Sequence, residues 1–224
     1  MLLLEKLFGA RRNGIFEEII GHDHIKKLFQ IVLTSNEPTH ILLIGAPASA
    51  KTMFLLSLRQ HLKNSYFVDG GNTTKAGIID YLVADHPRYL LVDEIDKMTR
   101  QNQTFLLNLM ETGIVSETKF RKTREAHLKS SVFGTCNDPT KLSNPLLSRF
   151  FLIKLEPYTY EQFYETTRRL LGIREDMARF IGDSVWSRSR DIRDCVRIGR
   201  IARTEEDAKF LVENFISSRV GRQD

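Results

Sequence analysis

A lysine and a hydroxyl residue, Lys51-Thr52, stand at the end of a run of small residues, Gly45-Ala46-Pro47-Ala48-Ser49-Ala50, and Met53 leads on into an apolar-rich segment. Small side chains let backbone N–H groups turn inward around an anion, and a helix beginning there adds the positive end of its dipole. In such a loop the lysine reaches the terminal phosphates of a nucleotide, and the threonine hydroxyl is a hard oxygen ligand for Mg²⁺. Further on, the run Arg88-Tyr89-Leu90-Leu91-Val92 ends in two acids, Asp93-Glu94. An acid at that place holds the metal, directly or through water, and the next one orients and deprotonates the water that attacks a γ-phosphate. Together the two stretches imply binding and hydrolysis of a nucleoside triphosphate.

These side chains need elements to hold them. Ile41–Ile44 reads as a short buried strand, Gly45 breaks it, and Met53–Leu62 reads as a helix, which is the strand, loop, helix context of a phosphate-binding loop. One residue departs from the pattern G-x-x-x-x-G-K-[ST], because Ala50 stands where the second glycine belongs. A negative φ at Ala50 would accommodate the methyl group. The apolar run before Asp93 reads as a buried parallel strand whose acids sit at its C-terminal edge, where ligands bind in open α/β sheets.

The rest of the chain fits the same plan. Asp23 caps a helix running to about Leu33, with Ile25, Leu28, Phe29, Val32 and Leu33 on one face. Ile19 and Ile20 before it suit either the core or an adenine ring. Tyr66–Asp69 reads as a strand, followed by the loop Gly70–Thr74 and a helix from about Lys75 to Ala84; Gln101–Glu111 reads as another helix. Ile114–Phe120 and Ala126–Lys129 read as strands flanking Arg121–Glu125, a hairpin with a basic tip. Ser131–Cys136 is a strand ending at Asn137, and Ile153–Leu155 a last one. From Thr159 the pattern is wholly helical, at about 159–171, 174–186, 190–202 and 204–218. The fold class expected is therefore α/β, a parallel P-loop NTPase sheet with flanking helices over residues 1–156, residues 1–14 forming an N-terminal arm, followed by a small all-helical lid domain over 157–224.

The 224 residues suit one domain with an appendage, and a hydrophobic share of 42% with 27% charged residues describes an ordinary soluble protein. The net charge of +5 is compatible with a polyanion partner without demanding one. Cys136 and Cys195 form neither a metal spacing nor a disulfide framework, so reduced thiols and a cytoplasmic location are expected. Met1-Leu2-Leu3-Leu4 gives way at once to Glu5-Lys6, which is neither a signal-peptide core nor a membrane span.

In order, Gly21, the loop at 45–52, Asp93-Glu94, Asn137, the Ser148-Arg149-Phe150 run and Arg190-Asp191-Ile192-Arg193 resemble the AAA+ ATPases, and the resemblance covers nearly the whole chain. It implies ATP and Mg²⁺ as cofactors, Asp93 with Glu94 as the Walker B acids, and Asn137 as the sensor beside the γ-phosphate. It further implies Arg149 as an arginine finger serving a neighbouring subunit, and Arg193, ahead of Arg190, as the lid arginine that senses nucleotide. A finger acting in trans implies a homo-oligomer, a ring of six in this family.

The expected substrate is less determined. A hairpin just before the Asn137 strand looks like the insertion of the RuvB, MCM and MoxR-like branches, which act on DNA or on partner proteins. Lys119, Arg121, Lys122 and Arg124 beside Phe120 suit a phosphate backbone, and equally suit a solvated basic loop. No winged-helix DNA-binding domain is expected after the lid, and Gly70-Gly71-Asn72 is a poor match to the pore loop of protein unfoldases. Three readings stay open: a helicase-like motor acting on DNA, a MoxR-like ATPase remodelling a protein partner, and an ATP-gated assembly module with slow turnover, for which Ala50 is the hint.

Overall fold

The computed structural model describes residues 14–47, 49–119 and 122–216. They form two compact units, one of residues 23–156 and one that joins residues 14–22 to 157–216.

In the first unit the helix Asp23–Thr34 leads to β1 (Ile41–Ile44), the helix Lys51–His61, β2 (Ser65–Asp69), the helix Lys75–Asp85 and β3 (Tyr89–Asp93). The helix Arg100–Thr112 follows, then β4 (Ile114–Lys119), β5 (Lys122–His127), β6 (Ser131–Cys136), the short helix Asn144–Leu147 and β7 (Phe151–Lys154). Five strands make a parallel sheet in the order β2-β3-β6-β1-β7. Its centre is apolar because helices cover both faces: all six residues of β6 are buried, as are Ile41, Leu42 and Leu43 of β1. In register, Asp69 pairs with Asp93 and Ile44 with Cys136, so the carboxyl ends of β2, β3, β6 and β1 finish along one edge. That edge is where the phosphate loop leaves β1 and where Asp93-Glu94 leave β3.

β4 and β5 pair with each other as an antiparallel hairpin, with Lys119 opposite Lys122. The second strand thus begins at Lys122 and takes in much of the charged stretch expected to form the tip. A run of charge does not end a strand as long as its backbone groups find partners across the ladder. Phe120 and Arg121, between the two strands, lie outside the described residues, as do Ala48 of the phosphate loop and residues 1–13 of the expected arm.

The second unit holds the helices Tyr160–Leu171, Glu175–Trp186, Ile192–Ile201 and Glu205–Phe215. Thr159 and Thr204 start the first and last of these with reciprocal capping boxes, to Gln162 and Asp207. Phe163, Ile181, Val185, Val196 and Val212 form the core between them. Residues 14–22 pack on this unit: Gly21 has φ +70° and lies so close to Gln162 that a Cβ would stand 2.5 Å from its amide nitrogen. The His22 ring lies 5.8 Å from that of Tyr158. Among the described residues no helix is long and apolar enough to cross a membrane.

Candidate active site

The loop after β1 closes tightly on itself. The Gly45 N–H donates to the Cys136 carbonyl at 3.2 Å, and a Cβ on Gly45 would meet the Leu155 carbonyl oxygen at 2.7 Å and Ser49 Oγ at 2.8 Å. Only glycine fits there. Lys51 is buried, and its ammonium donates to the carbonyls of Gly45 (2.7 Å) and Ala46 (2.6 Å) and to Ser49 Oγ (3.1 Å). The cation is thereby held inside the loop, at the start of the helix Lys51–His61. The negative φ that would accommodate the Ala50 methyl group is not adopted: its φ is +64°, left-handed. The chain turns from loop into helix at this residue, whose carbonyl already accepts the Phe54 N–H at 3.2 Å, and the turn forces the left-handed geometry. For a residue with a Cβ that conformation costs about 1–2 kcal/mol.

Beside the loop, Thr52 Oγ1 lies 3.2 Å from both carboxylate oxygens of Asp93. A hydroxyl and a carboxylate placed together are the hard oxygen donors that Mg²⁺ prefers. Among the described residues no group of three or more His, Cys, Asp or Glu side chains gathers to hold a metal. The donor set thus fits an ion that completes its shell with phosphate oxygens and water. Burial pushes the Asp93 carboxyl above the usual range, while hydrogen bonds from Thr135 and Thr52 pull it back.

Glu94 also adopts a left-handed conformation, φ +53°, at the start of a short 3₁₀ turn, Ile95–Lys97. Its carboxylate pairs with Lys97 Nζ at 2.6 Å and is partly exposed. Strained backbone of this kind is concentrated at functional sites. Asn137 follows β6, the strand between β3 and β1, and its N–H donates to Asp96 Oδ1 at 3.2 Å. The sheet thus brings Gly45, Ala46, Pro47, Ser49, Ala50, Lys51, Thr52, Met53, Asp93, Glu94 and Asn137 to one edge.

Arg149 is elsewhere. It lies two residues before β7, whose first residue, Phe151, pairs with the first residue of β1, so it stands at the opposite, amino edge of the sheet. There it is half-exposed and bonds Glu111 Oε1 at 2.8 Å. Ile19, Ile20 and Arg193 belong to the helical unit. Ile19 is fully buried and Ile20 partly so. Asp191 caps the helix Ile192–Ile201 by accepting the Arg193 N–H, and grips the Arg193 guanidinium through Nε (3.0 Å) and Nη2 (2.8 Å). Arg190 instead lies over the Trp186 ring, 4.8 Å from its centre. Sequence reading passed over Thr135, whose hydroxyl touches both Asp93 and Glu94. The signal was there: a threonine inside a buried apolar strand must find a polar partner.

A family model, the ATPase family associated with various cellular activities (AAA), matches residues 41–157, slightly more than half of the chain. The chain belongs to the AAA ATPase family. The match runs from β1 and its phosphate loop through both acids, Asn137 and Arg149, and ATP with Mg²⁺ is what this family uses. Among curated proteins, this AAA chain is 22% identical to the zygotic DNA replication licensing factor mcm6-A of Xenopus laevis over 91% of its own length, and 29% identical to a probable DNA helicase MCM9 of Oryza sativa over 51%. It spans only 30% of the first and 21% of the second. Among solved structures, a mutant form of Thermotoga maritima RuvB superposes with a TM-score of 0.69 at 20% identity, covering 91% of this chain and 73% of that one. Thermotoga maritima RuvB described as a Holliday junction branch migration motor gives 0.64 at 20% identity, over 87% and 69%. At such identity the superposition establishes the shared fold.

Proposed function

We propose that this chain is the ATP-hydrolysing unit of a ring-forming motor that acts on DNA. In this reading Lys51 binds the terminal phosphates, Thr52 and Asp93 hold Mg²⁺, Glu94 orients and deprotonates the attacking water, and Asn137 contacts that water and the γ-phosphate. The metal supplies charge neutralisation on the phosphates.

The observation that carries the proposal is the position of Arg149. It stands one strand length away from the phosphate loop, about 10 Å at 3.3 Å per residue. An arginine so placed serves a nucleotide held by a neighbouring copy, where its charge stabilises the transition state. Three facts support DNA as the substrate: the net charge of +5, the hairpin whose strands include Lys119, Lys122 and Arg124, and the similarity to proteins named for DNA replication, DNA helicase activity and branch migration.

Steady-state ATP hydrolysis with and without single-stranded, duplex and branched DNA tests this, with Glu94→Gln protein as the blank. Stimulation by DNA that disappears on removing the charges of Arg121, Lys122 and Arg124 is the expected result. Indifference to DNA would transfer the reading to remodelling of a protein partner. The left-handed Ala50 favours a third outcome, ATP-dependent assembly with little turnover, which would show as bound ATP without hydrolysis above the blank. Mixing Arg149→Ala with Glu94→Gln protein tests the action in trans: each is inactive alone, and mixed rings regain turnover.

A further inference from the structure

β6 runs between the strand that carries the acids and the strand that carries the phosphate loop. Thr135 lies on it, fully buried and two residues before Asn137. Its hydroxyl makes two bonds at once. It donates to Asp93 Oδ1 at 2.5 Å, and it accepts the backbone N–H of Glu94 at 2.8 Å. A hydroxyl has one hydrogen to give and lone pairs to receive with, so both bonds form without competition. The donated hydrogen fixes the orientation of the Asp93 carboxylate, and the accepted amide pins the Glu94 backbone in its left-handed conformation.

From this geometry we infer that Thr135 is a positioning residue for ATP hydrolysis: one hydroxyl sets the Asp93 carboxylate toward Thr52 and the metal, and simultaneously aims Glu94 at the attacking water. The inference rests on the ATPase reading above. Without the hydroxyl, Asp93 Oδ1 loses its shortest bond and the Glu94 N–H is left unpaired beside a buried strand, which frees the peptide that carries the base. Misplacing a base in this way slows the chemical step while leaving the phosphate loop, and therefore nucleotide binding, intact.

Thr135→Val keeps the shape of the side chain and removes both bonds, whereas Thr135→Ser keeps both bonds. Two readouts apply. The first is hydrogen exchange at the Glu94 amide in nucleotide-free protein, which the valine variant is expected to speed and the serine variant to leave protected. The second is hydrolysis: the valine variant is expected to lose roughly ten- to a hundredfold in kcat. Its affinity for ATP measured without Mg²⁺ stays at the wild-type value, its half-saturating Mg²⁺ rises, and serine restores both kcat and the half-saturating Mg²⁺. If the valine chain fails to fold, Thr135→Ala carries the same comparison. A valine or alanine variant with wild-type protection at Glu94 and wild-type kcat overturns the inference, as does a serine variant as slow as the valine one. Wild-type protein that hydrolyses ATP no faster than Glu94→Gln overturns the ATPase reading instead, and amide exchange then still decides whether Thr135 pins Glu94.

Discussion

The two ends of the parallel sheet are built differently. At the carboxyl edge two residues with side chains, Ala50 and Glu94, are left-handed, a glycine at position 45 has no room for a methyl group, and a buried lysine bends back onto loop carbonyls. At the amino edge, polar side chains stitch one crossover to the next. His40 Nδ1 accepts the Val132 N–H at 3.1 Å, Ser131 Oγ accepts the Thr39 N–H at 3.1 Å, Ser130 Oγ donates to the Pro87 carbonyl, and Arg88 donates to the Ser35 carbonyl at 2.8 Å. That edge has its own left-handed residue, His86, but it closes a helix and bears no candidate chemistry. The contrast teaches that the sheet is secured at one end so that strain is sustained at the other, where polar groups must point at a ligand and not at each other.

The comparison is most easily broken by Lys51→Ala. It should weaken ATP binding by more than roughly a hundredfold, since charge-assisted bonds to phosphate are lost, while the midpoint of urea unfolding moves little. A large loss of stability would mean that the lysine secures the fold and not the site. The amino edge is probed by acid. Burial holds the His40 imidazole down at about 4, against about 6.5 for an exposed histidine. Between those values the unfolded chain binds a proton that the folded chain refuses. Stability is therefore full above pH 6.5, falls as the pH drops toward 4, and then levels off, by about 3 kcal/mol at most. Urea titrations at pH 7, 5.5 and 4 measure it, and His40→Gln should flatten the difference. Gly70→Ala comes next. The new Cβ would stand 2.5 Å from the Glu94 carbonyl oxygen and 3.0 Å from that of Asp93. A cost of about 2 kcal/mol in unfolding free energy is expected, with slower hydrolysis, because the overpacked atoms are backbone. The smallest effect is a gain: Ala50→Gly relieves the left-handed alanine and should add about 1 kcal/mol, seen as a higher melting temperature. A loss there would show that the methyl group is packed to advantage.

Much of this was legible in the residues. Ile41–Ile44, Tyr89–Asp93 and Ser131–Cys136 announce themselves as buried strands because their runs are short, apolar and ended by glycine, acids or asparagine, and the capped helices from Thr159 onward follow 3.6-residue spacing. What escaped reading depends on partners far away in sequence. The backbone of Ala50 is bent by the turn into the helix, a constraint that residue type does not express. The first residue of β5 is set by pairing with β4, not by its own polarity. Thr135 gains meaning only because β6 lies beside β3, and strand order is a property of the sheet.

Gly70 carries one more consequence. Its N–H donates to the Asp93 carbonyl at 2.8 Å, and the next residues are tied in as well, Gly71 N–H to Asp69 Oδ1 at 2.9 Å and the Thr73 carbonyl to Asn102 at 2.9 Å. The start of the loop that leaves β2 is therefore tied to the end of β3, and the rest of it to Asp69 and the helix Arg100–Thr112. A load applied at Gly70 passes directly to the Asp93 backbone, one residue before Glu94.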